Sequence, residues 1–255
     1  TVIGTSLAWA LAERGLRVAF IDLDSQTGQA AMHLCERNAG PTVADAVAVI
    51  DRLDAVLMDT LLTPVGPRLR MLPSAGAGIV ERGEGVRPQT LRRIAEQAAK
   101  WADVVLLDCP AREITLDWPG WAEWVEEVER RILITEPTLS ATYNTRRFLE
   151  QWRHHAEPSC EVVINKVGRH DVLKPDEIRV ALAAHGVQAW RELPRSDEVV
   201  AHAVHQGCAV GHLHPQDALS RALDQWAAEV GPAPLAEPPG WRRWWARATG
   251  WGGRA

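Results

Sequence analysis

Apolar and polar positions along this chain follow two periods. Short runs rich in aliphatic and β-branched residues predict strands over 17–23, 69–72, 103–108, 131–135, 161–165 and 188–193. Longer stretches with apolar residues at helical spacing predict helices over 1–14, 43–49, 88–101, 121–128, 140–151, 175–184, 198–206 and 215–229. Strands alternating with amphipathic helices define the α/β class, here a mainly parallel twisted sheet with helices on both faces. Gly76, Gly78, Gly83 and Gly85 crowd the segment after the second strand and predict a surface loop over 73–86. After 230 the periodic pattern stops. Residues 231–240 read as a Pro-rich linker and 241–255 as a Trp/Arg tail, which leaves 1–230 as one domain.

Composition narrows the setting. With 255 residues and 46% hydrophobic content the chain can bury one substantial core. A net charge of -5 gives no general attraction for nucleic acid, so no sequence-specific nucleic-acid partner is expected. Cys35, Cys109, Cys160 and Cys208 are scattered without a CxxC pair, which fits a reducing cytoplasm better than a disulfide or zinc framework. No run approaches the ~20 apolar residues of a membrane span, so any membrane contact is expected to be peripheral.

The candidate chemistry lies at strand ends, because open α/β sheets bind ligands beyond the carboxyl ends of their strands. The VAFID strand ends on Asp22 and Asp24, and the VVLLD strand ends on Asp108, followed by Cys109 and Pro110. A carboxylate in such a place can hold magnesium through water, order an attacking water, or simply form a turn or cap a helix. Thr1 heads the first helix, whose free N–H groups and dipole favour a phosphate. Asn165 ends another strand, where an amide offers both a donor and an acceptor to a base edge.

Taken together, the helix headed by Thr1, the Asp22-Leu23-Asp24-Ser25-Gln26 strand end and the LLDCP segment about eighty residues later resemble the deviant P-loop ATPases of the MinD/ParA class. Ile164-Asn165-Lys166-Val167 and Leu193-Pro194-Arg195-Ser196 extend the resemblance to the adenine side. The 51–74 segment, Trp118-Pro119-Gly120-Trp121 and TEPTLSATYNTRRFL are most similar to the TadZ/CpaE-type pilus assembly proteins. The resemblance covers roughly residues 1–230. It implies Thr1 and Asp108 on magnesium, Asp108 through water; Asp24 ordering the attacking water or a switch loop; and Pro110, Asn165, Pro194 and Arg195 around ATP. It implies a homodimer when ATP is bound and an ATP-hydrolysing localisation factor of a Flp/Tad-type pilus system that engages pilus assembly proteins. A degenerate scaffold of the same fold, a BcsQ-like cellulose-synthesis accessory ATPase and a MinD/ParA positioning ATPase are the rival readings. In this class a strand and a Gly-rich lysine loop precede the Thr1 position, so the sequence reads as cut just after that loop. Catalysis would depend on the loop lysine, and a sheet lacking the strand would carry an exposed apolar groove.

Twelve Trp accompany two Phe and one Tyr. Trp9, Trp101, Trp152, Trp190 and Trp226 fall within the periodic segments and read as core or interface residues. Trp118, Trp121 and Trp124 cluster after Asp108 and fit either a partner contact or ordinary packing. In the tail, Trp241, Trp244, Trp245 and Trp251 share one helical face while Arg242, Arg243 and Arg247 take the others. From Pro239 onward the charge is +4, leaving -9 on the rest. This basic stripe fits an anionic membrane surface, or packing on the body or on a partner subunit. His202, His205, His212 and His214 complete no ligand set in the sequence and read as solvated.

Overall fold

The computed structural model describes residues 1–24, 28–34, 40–74, 88–109, 125, 127–153 and 160–232. The tail, Pro110, Trp118, Trp121, Trp124, most of the predicted 121–128 helix and most of the 73–86 loop lie outside these residues. Helix α1 (Val2–Glu13) leads through Gly15, at φ 96°, into β1 (Val18–Asp22). The positive φ suits glycine, which turns the chain at once from helix to strand. Next come α2 (Ala30–His33), α3 (Val43–Ala48), a 3₁₀ turn at Ile50–Arg52, α4 (Ala55–Leu61), β2 (Thr63–Pro64) and β3 (Leu69–Leu72). The remaining elements are α5 (Pro88–Ala98), β4 (Val104–Asp108), β5 (Ile132–Thr135), α6 (Leu139–Trp152), β6 (Cys160–Val167), α7 (Pro175–Leu182), β7 (Val187–Pro194), α8 (Asp197–Gln206), α9 (Val210–Leu213) and α10 (Ala218–Val230).

The strands form two sheets, ordered β2-β3-β1-β4 and β5-β6-β7. All pairs are parallel except the short β2–β3 pair. In β1 every residue is buried. Val18 and Phe20 join one core with Leu7 and Leu11 of α1, Met71 of β3, and Leu223 and Trp226 of α10. Ala19 and Ile21 join a second core with Leu53, Met58, Leu72 and Ile94. A strand covered by helices on both faces must be apolar at consecutive positions, which is why VAFI shows no alternation. A third core joins Leu149 and Trp152 of α6 to Val162 and Ile164 of β6 and to Ile178 and Leu182 of α7. Val163 of β6 and Leu193 of β7 belong to the first core, so the layer under α1 and α10 spans both sheets.

The strands β4 and β5 are edges of their sheets. Both are apolar, yet all five residues of β4 are half-buried and Ile134 of β5 is 47% exposed. Leu106 of β4 and Ile132 of β5 pack against the same core beneath α1. The seam between the two sheets is therefore lined by apolar strands that are incompletely covered.

The periodic segments form the elements expected of them wherever they are described, with ends shifted by a few residues. Three short elements, α2, α4 and α9, and the two-residue β2 have no counterpart in the pattern. Too few turns for a repeat is the reason for α2 and α9. Helix α4 is marked by a cap instead, Asp54 Oδ1 accepting from the Leu57 N–H at 2.8 Å. Of the five tryptophans expected in the body, Trp152 and Trp226 are buried, and Trp101 is half-buried beneath Arg70, 4.3 Å from the guanidinium carbon to the ring centroid.

Trp226 is 1% exposed and binds α10 into the first core. Trp226→Ala should lower the unfolding free energy by about 3–5 kcal/mol, read from the midpoint of urea denaturation.

Candidate functional site

The strand ends create the site. β1 and β4 are parallel and in register, so Asp22 and Asp108 are directly paired positions at their common carboxyl end. The Leu23 N–H donates to the Asp108 carbonyl at 2.9 Å, continuing the ladder one step past the strand. Thr1 stands at the start of α1, and its hydroxyl caps no helix N–H. The Thr1 amino nitrogen lies 3.5 Å from Asp108 Oδ2. That oxygen is buried and has no hydrogen-bond partner.

Asp22 is more deeply placed, with 1% of its surface exposed. Its two oxygens accept from the Asp24 N–H at 3.0 Å and the Ala30 N–H at 3.2 Å, which ties the strand end to the first turn of α2. Burial pushes its carboxyl up to about 6 against these two hydrogen bonds, and the neighbouring Asp108 and Asp24 charges push the same way as burial. Asp24 is half-buried in the turn beyond; its carbonyl accepts from the Gly28 N–H at 2.9 Å and from Ser74 Oγ at 2.5 Å. At Gly28 there is no room for a side chain: a Cβ would stand 2.4 Å from Ser74 Cβ, 2.5 Å from the Asp24 carbonyl and 2.8 Å from Asp22 Oδ2.

His33 closes the same corner. It is 4% exposed, its Nδ1 has no hydrogen-bond partner, and its pKa is driven down chiefly by burial, with Asp108 acting the other way.

The structure thus brings Thr1 and Asp108 together and adds Asp22, which the sequence reading passed over as a site residue in favour of Asp24. The signal for it was present, since Asp22 is the last residue of a strand that is otherwise wholly apolar. Nothing in the sequence marked His33. Among the described residues, no three His, Cys, Asp or Glu side chains converge on a metal position. Two carboxylates and a hydroxyl are all oxygen donors, and magnesium commonly takes only one or two protein carboxylates with water and phosphate oxygens as the rest. Asp108 Oδ2, buried and accepting no hydrogen bond, fits such an ion or its water.

Asn165 and Pro194 occupy the carboxyl ends of the adjacent strands β6 and β7. Asn165 is half-buried, and Lys166 beside it has φ 59°, a left-handed backbone rare outside glycine. Lys166 Nζ pairs with Glu136 Oε1 at 2.6 Å. The Arg195 N–H donates to the Val167 carbonyl, while its guanidinium is held by Asp171 at 3.0 Å and Asp197 at 3.3 Å. Arg195 is therefore engaged locally by two carboxylates. Pro110 and the tail residues Trp241, Arg242, Arg243, Trp244, Trp245 and Arg247 are outside the described residues.

No protein-family model and no curated protein matches this sequence. Solved structures do match its fold. A ParA family ATPase from Chlorobium tepidum TLS superposes with a TM-score of 0.78 at 21% identity, over 90% of this chain and 93% of its own. The septum site-determining protein MinD complexed with Mg-ADP from Pyrococcus horikoshii OT3 gives 0.70 at 19% identity, over 90% and 89%. MinD in the MinC:MinD cell division complex of Aquifex aeolicus gives 0.67 at 18% identity, over 94% and 92%. The chain has the fold of the MinD/ParA class of P-loop ATPases, a mainly parallel α/β sheet structure flanked by helices.

The raised carboxyl of Asp22 makes stability depend on pH. Between about pH 4 and 6 the folded chain keeps a proton that the unfolded chain has released, so stability falls as pH rises through that interval and is constant above it. Relative to Asp22→Asn, the parent chain should lose roughly 2 kcal/mol between pH 4 and pH 7. Urea denaturation at both pH values, with divalent ions chelated, measures this.

Proposed function

We propose that this chain is a nucleotide-dependent switch that binds Mg-ATP at the ends of β1 and β4. One observation carries the reading: the head of α1 meets the paired strand ends Asp22 and Asp108 at a buried carboxylate oxygen of Asp108 that accepts no hydrogen bond. The MinD neighbour's Mg-ADP is consistent with it. Thr1 and Asp108 would hold the magnesium ion, Asp108 through water, and the ion would supply charge neutralisation at the phosphates. Asp22 accepts from the Asp24 and Ala30 N–H groups and so fixes the turn that carries Asp24. Asp24 orders the attacking water or couples the nucleotide to that turn. Asn165 and Pro194 border the adenine, and Arg195, held by Asp171 and Asp197, stiffens the Pro194 turn. Pro110, two residues after Asp108 in the sequence, is assigned to the same site by the resemblance alone. Hydrolysis in this reading needs a lysine to neutralise the charge that develops on the phosphates.

We further propose that ATP drives homodimerisation and that the switch serves a Flp/Tad-type pilus assembly machine, engaging its proteins at the inner face of the cell membrane. The similarity of the 51–74, WPGW and TEPTLS segments to TadZ/CpaE-type proteins supports this placement. No helix among the described residues is long and apolar enough to cross a membrane. The tail residues Trp241, Trp244, Trp245, Arg242, Arg243 and Arg247 supply a peripheral contact with anionic lipid.

Single-turnover assays with labelled ATP and magnesium test the site. Asp108→Ala should weaken nucleotide binding, and Asp24→Ala should leave binding but slow cleavage by about 10²–10³-fold. If neither substitution changes binding or hydrolysis, the site is wrongly assigned; binding without turnover in a protein that carries the loop lysine makes it a scaffold. For the tail, co-sedimentation with vesicles containing anionic lipid should fall sharply when residues 239–255 are deleted. Equal binding by both forms would remove the membrane role.

A further inference from the structure

The histidines of residues 202–214, which form no ligand set in the sequence, are drawn together by a tight corner. Helix α8 ends at Gly207, at φ 70°, and α9 follows after two residues. The His214 N–H then donates to the Val210 carbonyl at 2.8 Å, and its own carbonyl accepts from the Asp217 N–H at 3.1 Å, so the backbone at His214 is held from both sides. This turns the half-buried His214 back towards the exposed His202 of α8. His202 Nδ1 and His214 Nε2 stand 2.9 Å apart, with ring centroids separated by 5.0 Å. The neighbouring His212 does not join them; its ring packs edge-on against Trp9 of α1, 4.6 Å between centroids.

Two imidazole nitrogens at this separation can share one proton or present two lone pairs to one ion. Metal–imidazole bonds of about 2.0–2.1 Å at a right angle place the two nitrogens about 2.9 Å apart. We propose that His202 and His214 form a two-nitrogen site for a borderline divalent metal ion, copper(II), nickel(II) or zinc, with water completing its coordination. Imidazole suits these ions and not magnesium, so the site is chemically distinct from the oxygen-donor site at Asp108 and does not rest on the nucleotide reading. In the pair as it stands one nitrogen donates its proton to the other; a bound ion displaces that proton, and rotation about the soft χ2 torsions turns both lone pairs to the ion. The bound ion clamps α8 to the corner leading into α10. Because the Ser6 hydroxyl accepts from the Val210 N–H at 3.3 Å, that corner is also fastened to α1.

Isothermal titration of the intact chain with nickel(II) tests the site, since nickel(II) competes less for thiols than copper(II). One ion should bind per chain, and His202→Ala and His214→Ala should each weaken binding by about tenfold or more. His205→Ala, one helical turn along α8, should change nothing. Nickel(II) should also raise the thermal midpoint of the parent and leave that of either single variant unmoved. The proposal is overturned by the absence of saturable binding, by binding that survives both substitutions, or by loss on Cys208→Ser or His205→Ala equal to that of the pair.

Discussion

Everything in the molecule is arranged around a strand of five residues that is paired on both edges and buried on both faces. Once Val18, Ala19, Phe20 and Ile21 are enclosed by β3, β4 and two separate cores, the next side chain, Asp22, is delivered to the rim with no freedom to move. A carboxylate that buried needs donors, and the chain supplies them from its own next turn, through the Asp24 and Ala30 N–H groups. The constraint that stabilises the sheet thus also fixes the turn carrying Asp24 and crowds Gly28 against Ser74. Core and site are consequences of the same packing.

Much of the fold could be read from the sequence because parallel strands buried on both faces are continuous apolar runs and their covering helices are strongly periodic. The short helices at Ala30–His33 and Val210–Leu213 escaped, since a single turn has no period to detect. The site was legible in the same proportion. Asp108 and Thr1 stood out by their places at a strand end and a helix start. Asp22 was visible but was ranked below Asp24, because a sequence does not show which of two nearby carboxylates is enclosed and which stands beyond the strand. His33 and the His202–His214 pair were hidden for a different reason: burial and convergence of those rings are products of tertiary folding, with no signature in local spacing.

The fold tolerates wide sequence change. At about one residue in five identical, the Chlorobium tepidum ParA family ATPase covers nine-tenths of this chain. Layered α/β architecture demands apolar volume and turn chemistry, and many sequences satisfy both. On this fold the strand ends carry local features of their own: carboxylate oxygens at Asp22 and Asp108, a left-handed backbone at Lys166, and Arg195 held by Asp171 and Asp197.

The seam between the two sheets also bears on the site. Edge strands that are apolar and incompletely covered are templates for pairing with any extended chain, and natural proteins usually blunt them with charge, proline or a bulge. β4 reads VVLLD and β5 reads ILIT, with no such gatekeeper before Asp108. An extended segment laid along those two edges would join both sheets into one, so the integrity of the proposed nucleotide site depends on what covers the same few backbone groups.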